Sequence, residues 1–305
     1  MPLMGMYANG PRDDGTSAAI GGRIYDQAFV VNRIPLPALF ALSLFAGIER
    51  PMKVEDCGRA FMSHRVVGES EWLQARKHHL AREKELLRQL DELRRQRREL
   101  PWLRVDKPYV FQSATGTQTL ADLFGDSSQL AIQHFMFAPE WSEGCVGCSF
   151  QADHVDAALV HLRHHDVAFA AVSRAPIEKL EAFRQRMGWG FHWVSSGDSE
   201  FNYDFGVSFR AADLARGPVQ FNFEPRELDG EEMPGISIFF KDEEGAIYRT
   251  YSAYGRGMEQ LVGAYSYLDL MPKGRNETGP AFDLTDWVRH HDQYAKEQKS
   301  GCGCA

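Results

Sequence analysis

An apolar run from Leu130 to Phe137 leads through a loop into a pair of cysteines, and this order constrains the fold more than any other feature. A continuous apolar run of this length predicts a buried strand. A loop containing proline and glycine interrupts the pattern, and a helical pattern begins at Cys145 and Cys148. The sequence therefore predicts a strand, a loop and a helix that starts with a Cys-x-x-Cys pair.

The position of the two cysteines predicts unequal roles for them. The first N–H groups of a helix are unpaired and its dipole end is positive, so an anion such as a thiolate is stabilised there. We therefore expect Cys145 to have a lowered pKa and to act as the attacking thiol. Cys148, one turn further on, is close enough to resolve a mixed disulfide formed on Cys145. Placement after a buried strand favours this redox interpretation.

A metal site is the main alternative for the two cysteines, because structural zinc sites use the same spacing. Further ligands would come from His134, His154 or the terminal pair Cys302 and Cys304. Thiolate and imidazole suit zinc or copper, but no second Cys-x-x-Cys completes the ligand set. The terminal pair has two other interpretations, a second dithiol on a flexible tail that reduces the first, or a tail without a role.

Composition excludes some classes of function. The formal net charge of -8 argues against a general nucleic-acid-binding protein, which needs a basic surface. Five cysteines in 305 residues do not suggest a disulfide scaffold and fit a reducing cytosol. The long apolar run Ile34–Ile48 is too short to span a bilayer. We expect a cytoplasmic protein that binds neither nucleic acid nor membrane.

The sequence changes character along the chain, which predicts four segments. Residues 1–61 lack periodicity, and we expect a leader that is disordered or not native. Residues 62–100 predict a charged N-terminal helix with Ser70 as N-cap and a leucine stripe that packs on the main domain or on a second copy. Residues 101–270 predict an α/β domain. Residues 271–305 form a C-terminal extension with a flexible Cys-x-Cys tail.

Residues 101–270 alternate between strand and helix patterns, which predicts a central mixed sheet flanked by helices. The predicted strands are Tyr109–Gln112, Thr117–Leu120, Leu130–Phe137, Val167–Val172, Phe191–Val194, Gly206–Phe209, Val219–Phe223 and a hairpin within Met233–Tyr251. The predicted helices follow Cys148, span Pro176–Met187 and Arg256–Leu270, and include a further short helix within residues 283–296.

This order of elements resembles the thioredoxin fold, in which a Cys-x-x-Cys pair starts a helix of a βαβ unit and a proline precedes an antiparallel hairpin. In that fold the proline is cis and faces the dithiol. The resemblance implies that Met233 and Pro234 are the matching pair and contribute to substrate binding. It also implies that the backbone of Met233 is free to pair with a substrate chain.

A narrower resemblance covers roughly residues 62–294. The blocks that carry it are Glu71–Leu73, Phe135–Phe137, Gly144–Phe150, Ala171–Pro176, Arg186–Trp189, Trp193–Ser196, Phe201–Phe205, Pro234–Ser237 and Leu268–Arg275. Through them the chain resembles the domain-of-unknown-function 899 family of bacterial thioredoxin-like proteins. Membership implies the fold just described and the activity predicted for the family, dithiol–disulfide oxidoreduction.

The chain departs from two better-known motifs. Thioredoxin has Trp-Cys-Gly-Pro-Cys, whereas here Gly144 precedes the first cysteine and Val146 and Gly147 lie between the pair. Because these residues affect the redox potential, the direction of electron flow does not carry over. Peroxiredoxins have Pro-x-x-x-Thr/Ser-x-x-Cys, and the spacing from Pro139 to Cys145 does not fit it. This spacing argues against a peroxidase.

Four further residues lie near the predicted dithiol. Trp141 is expected to cover the Cys145 sulfur, and Glu143 to raise its pKa by like charge. Arg174 follows the second parallel strand, at the sheet edge where ligand clefts form, and predicts either an anion-binding group or a structural ion pair. For His134 the two interpretations are a group that tunes the thiolate and a hydrogen-bonded core histidine.

The sequence as a whole predicts a thiol–disulfide oxidoreductase in which Cys145 attacks and Cys148 releases the product. Its partners would be protein or small-molecule thiols and disulfides, and a homodimer is one expected arrangement. No cofactor is expected. The alternative is a non-catalytic metal- or ligand-binding module on a thioredoxin-like scaffold.

Overall fold

The computed structural model describes residues 64–277 and 287–294. Some of the sequence predictions concern residues outside these ranges. These predictions concern the leader at residues 1–61, the terminal pair Cys302 and Cys304, and the parts of the predicted 283–296 helix beyond residues 287–294.

The chain forms seven α-helices and ten strands over the described residues. The helices are α1 (Glu69–Arg98), α2 (Val146–Ala152), α3 (Asp156–His164), α4 (Ile177–Arg186), α5 (Phe201–Asp204), α6 (Ala211–Leu214) and α7 (Gly263–Leu268), with 3₁₀ helices at Asp122–Phe124 and Gly255–Leu261. The strands are β1 (Leu103–Arg104), β2 (Val110–Ser113), β3 (Gly116–Thr119), β4 (Gln129–His134), β5 (Val167–Ser173), β6 (His192–Ser195), β7 (Val219–Phe221), β8 (Glu224–Arg226), β9 (Gly235–Lys241) and β10 (Ile247–Tyr254).

Eight strands form one mixed sheet in the order β1-β10-β9-β4-β5-β6-β2-β3. β4 pairs in parallel with β5 and antiparallel with β9, and β9 pairs antiparallel with β10. The connection from β4 to β5 carries α2 and α3. The order β10-β9-β4-β5 is that of the thioredoxin fold, which confirms the predicted fold class. β7 and β8 form a separate two-stranded sheet.

The apolar residues of the central strand β4 lie inside the sheet, where packed groups cover them. Leu130 and Ile132 are fully buried in one cluster, which also contains Phe239 of β9. Phe135 and Phe137, just beyond the end of β4, belong to a second cluster. The strand thus leads directly from one core into the other.

The predicted strand Leu130–Phe137 is three residues too long at its end. β4 stops at His134, but the next residues stay in register with the second parallel strand. Phe135 N donates to Val172 O at 2.9 Å, and Ala175 N donates to Phe137 O at 2.8 Å. The apolar pattern continues to Phe137 because these residues are buried. Such a pattern indicates burial, whether or not the residues pair with a neighbouring strand.

Helix α1 extends for 30 residues and contains no buried residue. Its N-cap is Gly68 and not the predicted Ser70, which lies inside the helix. The predicted leucine stripe (Leu73, Leu80, Leu87, Leu90 and Leu93) is not buried, and Leu87 is 55% and Leu93 52% accessible. Packing of the whole stripe on the main domain was therefore a wrong prediction.

Three other predicted elements are wrong in extent. The helix after Cys148 is divided into α2 and α3, and the Asp153 side chain at the break accepts a hydrogen bond from Trp189 Nε1 at 2.8 Å. The predicted helix Arg256–Leu270 is a 3₁₀ helix followed by α7, because Val262 between them has extended dihedral angles. Residues 206–209 form only an isolated bridge, Ser208 to Glu232.

Within residues 64–277 and 287–294, no helix combines the length and the apolar character that crossing a membrane requires.

Replacement of Leu130 by alanine tests the central position of β4. Leu130 is fully buried, so we expect Leu130→Ala to lower the free energy of unfolding by about 2–5 kcal/mol in urea titrations. Leu86→Ala on the exposed face of α1 is the control, with a change within about 0.5 kcal/mol. Equal losses in the two variants would contradict the assignment of the core.

Candidate functional site

Cys145 is the N-cap of α2, as the sequence predicted for the first cysteine. Its sulfur accepts a hydrogen bond from the backbone N–H of Cys148 at 3.4 Å. Its carbonyl oxygen accepts from the Ser149 N–H at 2.9 Å and from the Ser149 hydroxyl at 2.8 Å. The first cysteine is therefore held at both its side chain and its carbonyl by the opening turn of the helix.

The peptide groups of Met136 position both cysteines. Met136 O accepts from Cys145 N at 3.0 Å, which closes the loop between β4 and α2. Met136 N donates to Cys148 Sγ at 3.4 Å. The end of the apolar run thus determines where both sulfur-bearing residues lie.

Cys148 is 4% accessible, whereas Cys145 is only partly buried. The pKa of Cys148 is raised well above its ordinary value, first by its hydrogen bond with Cys145 and then by burial. Gln133 Nε2 donates to Cys148 O at 3.0 Å and fixes the backbone beneath the thiol. The two thiols are thus unequal, with the proton retained on the inner one.

A cavity of about 440 Å³ adjoins both cysteines. Its walls are largely apolar, and the six residues that contribute most of this character are Met136, Phe150, Met233, Pro234, Met258 and Val262. Besides the two cysteines, the lining residues with polar or charged side chains are Gln151, Arg256, Glu259 and Tyr265. The dithiol therefore faces an apolar cavity.

Met233 and Pro234 line this cavity with the cysteines, but their backbone differs from the expectation. No cis peptide bond occurs in the ranges 64–277 and 287–294, so the Met233–Pro234 bond is trans. The Met233 N–H is not free either, because it donates to Val207 O at 2.8 Å. The prediction of a cis proline with a free preceding backbone was wrong, since this N–H is used to join two loops of the fold.

Trp141 and Arg174 do not line the cavity. Trp141 is partly buried against the second core cluster, and its carbonyl accepts from Lys179 Nζ at 2.9 Å. Arg174 pairs with Glu232 at 2.6 Å and lies over the ring of Tyr203. Of the two interpretations of Arg174, the structure shows the ion pair.

His290 contacts the loop in front of the dithiol, and the sequence interpretation missed it. His290 is 2% accessible, and its Nε2 lies 2.9 Å from Gly144 O. The nearby Glu143 carboxylate is paired with Arg186. No local pattern connects residue 290 with residue 144, so only the folded chain reveals this contact.

The sequence profile of the bacterial family of unknown function DUF899 matches residues 61–294. The chain belongs to the DUF899 family. No curated protein matches this DUF899 protein significantly.

Solved structures with similarity to this DUF899 protein are distant. A peroxiredoxin Q mutant from Xanthomonas campestris has 15% identity and a TM-score of 0.36, over 53% of this chain and 90% of its own. A peroxidoxin BcpB from Mycobacterium tuberculosis has 15% identity and a TM-score of 0.34, over 53% of this chain and 95% of its own. At this distance they carry no argument about function.

The two histidines considered as metal ligands are engaged elsewhere in the DUF899 protein. His134 Nε2 bonds with Ser237 Oγ at 2.8 Å. His154 Nδ1 bonds with Phe150 O at 2.8 Å, and its Nε2 accepts from Ala264 N at 3.0 Å. Over the described ranges, no group of three or more His, Cys, Asp or Glu side chains could hold a metal ion.

A methyl group on Gly144 would test the packing of the loop before Cys145. Its Cβ would lie 2.7 Å from Phe135 Cε1 and 3.1 Å from Phe183 Cε1, so Gly144→Ala should lower the free energy of unfolding by about 1–3 kcal/mol. Gly230→Ala is the control, because no atom lies within 4 Å of its Cβ position. Unchanged urea midpoints in both variants would show that the loop is not packed this way.

The pH dependence of stability tests the buried state of His134. Burial, and secondarily the charge of Arg249, lowers its pKa from 6.5 to about 3. The unfolded chain therefore binds this proton at a higher pH than the folded chain, and the stabilisation present above pH 6.5 is lost as the pH falls towards 3.

We expect the stability difference between wild type and His134→Gln to shrink by up to about 1.4 kcal/mol per pH unit over that window. Urea titrations at several pH values measure the difference. A difference independent of pH would mean that His134 is accessible to protons in the folded state.

Proposed function

We propose that this DUF899 protein is a thiol–disulfide oxidoreductase that uses Cys145 and Cys148. The observation that supports it is the asymmetric pair itself. Cys145 lies at a helix start, and its sulfur accepts a hydrogen bond from the Cys148 N–H, while the more deeply buried Cys148 keeps its proton. Both cysteines reach one cavity. N–H donation to a sulfur favours its thiolate, which is the nucleophile in disulfide exchange. Cys148 Sγ also accepts an N–H, from Met136, so its deeper burial and not this kind of hydrogen bond distinguishes it from Cys145.

The roles of the two thiols follow from this asymmetry. Cys145, the more accessible, attacks a disulfide sulfur, the disulfide bond breaks, and a mixed disulfide forms on Cys145 as the first thiolate leaves. Cys148 then gives up its proton and attacks the Cys145 sulfur. The second thiolate leaves and takes a proton, and a Cys145–Cys148 disulfide remains. The substrate has gained two electrons, which a thiol donor must return to the protein.

The oxidised partner is a disulfide or another oxidised sulfur species, small or protein. The pair Cys302 and Cys304 lies outside the described residues, and its role as a second dithiol stays a prediction.

Trapping of mixed disulfides tests the roles of the two cysteines. In Cys148→Ser the resolving step is blocked, so an equimolar disulfide should leave an adduct on Cys145 that is visible as added mass on the intact protein. Cys145→Ser is the matched control and should form no adduct at position 148, because that thiol is buried and protonated.

Peptide mapping assigns any adduct, including one on the terminal cysteines. An adduct on Cys148 in Cys145→Ser, at the rate seen for Cys145 in the first variant, would reverse the roles. Absence of an adduct on either cysteine would refute the proposed function.

A further inference from the structure

The cavity beside the dithiol is built from parts of the chain that are far apart in sequence. Phe150 of α2 packs edge-on against Tyr265 of α7, with ring centroids 5.2 Å apart. α7 is connected to the turn after α2 by the hydrogen bond from Ala264 N to His154 Nε2. Met258 and Val262, both buried, come from the segment before α7. One wall of the cavity is therefore built from α7 and the segment that precedes it.

The lining offers no net charge to a substrate. Arg256 and Glu259 are its charged members, and Arg256 Nε lies 2.9 Å from Glu259 Oε1. The other oxygen of Glu259 pairs with Arg275 Nη1 at 2.9 Å. Glu259 is therefore paired twice, whereas the Arg256 side chain is 71% exposed. An anionic substrate would have to compete with Glu259 for Arg256, the one cation among the lining residues.

The backbone beside the dithiol is not arranged to add a peptide strand. Met233, next to the cysteines in the lining, uses its N–H for Val207 O. β9 begins at Gly235 and pairs on one side with β4 and on the other with β10. An extended polypeptide substrate would therefore not find the Met233 N–H, one of the main-chain partners that strand addition beside the dithiol would use.

We propose that the substrate of this site is a small, uncharged disulfide with apolar substituents, which lie against the methionines and Phe150 while the disulfide meets Cys145. This proposal rests on the proposed function and specifies its substrate class. A volume of about 440 Å³ is within the range of small-molecule pockets. Methionine side chains adapt to apolar groups of different shape. We therefore expect the polarity of the substrate's substituents to matter more than their shape.

Electrons and protons balance when the dithiol reduces the disulfide substrate. RSSR receives two electrons and two protons and leaves as two RSH, and the protein becomes the Cys145–Cys148 disulfide. A dithiol donor reduces that disulfide again.

A matched pair of disulfides tests the proposal. Dipropyl disulfide and bis(2-hydroxyethyl) disulfide have nearly the same size, and each methyl of one is a hydroxyl in the other. Reduced full-length protein is mixed with each and quenched with acid, and the free thiols are alkylated. Peptide mapping of the Cys145–Cys148 disulfide gives its rate of formation, which is divided by the rate of oxidation of dithiothreitol by the same disulfide. Burial of unpaired hydroxyls is unfavourable, so we expect dipropyl disulfide to be preferred by roughly tenfold. Glutathione disulfide, which is anionic, should be slower than dipropyl disulfide.

A variant connects the preference to the cavity. Met233→Gln places an amide in the lining, and we expect the preference for dipropyl disulfide to fall at least roughly threefold. Met271→Gln is the control, because Met271 is 49% accessible and does not line the cavity, and its preference should equal that of wild type. An equal preference in wild type and Met233→Gln would show that the cavity lining does not cause the preference, and would overturn the proposal.

The outcomes separate this proposal from the proposed function. Reaction of Cys145 with both small disulfides at equal normalised rates would overturn the apolar substrate class and leave the oxidoreductase intact. A faster normalised reaction with the disulfides of insulin would identify a polypeptide substrate and also overturn it. Absence of reaction with every disulfide, together with absence of adducts on Cys148→Ser, would refute both.

Discussion

The structure depends on the burial of one strand between two cores. β4 pairs with β5 on one side and β9 on the other, and Leu130 and Ile132 exclude water from the middle of the sheet. The chain that leaves β4 enters the second core at Phe135, and Met136 then bonds to both cysteine residues. The position of the dithiol is therefore set by the most buried part of the fold.

Aromatic packing gives the loop before the dithiol its shape. Trp193 contacts both Phe135 and Phe183, and a side chain at Gly144 would meet these two phenylalanine rings. His290 adds a contact to Gly144 O from the other end of the chain. Close packing of this kind tolerates little displacement, which suits a site whose two sulfurs must exchange a bond. The loop is thus fixed from the core side and from the C-terminal side.

The asymmetry of the two thiols and the neutrality of the cavity have a common origin in burial. The hydrogen bond with Cys145 and then burial raise the pKa of Cys148, and burial of the Glu259 carboxylate favours the ion pairs that it makes with Arg256 and Arg275. The proposed roles of the two thiols and the proposed preference for apolar substrates both rest on these low-polarity surroundings.

By itself, the sequence determined the elements whose signal is local. The apolar run predicted β4 and its continuation, the pattern at Val167–Val172 predicted β5, and the cysteine spacing placed Cys145 at a helix start, because burial and capping are readable over a few neighbouring residues. Only the tertiary structure decided the contacts between distant segments. It brought His290 to Gly144, used the Met233 N–H within the fold, and built a cavity wall from α7, since such contacts depend on how the elements pack and leave no periodic trace.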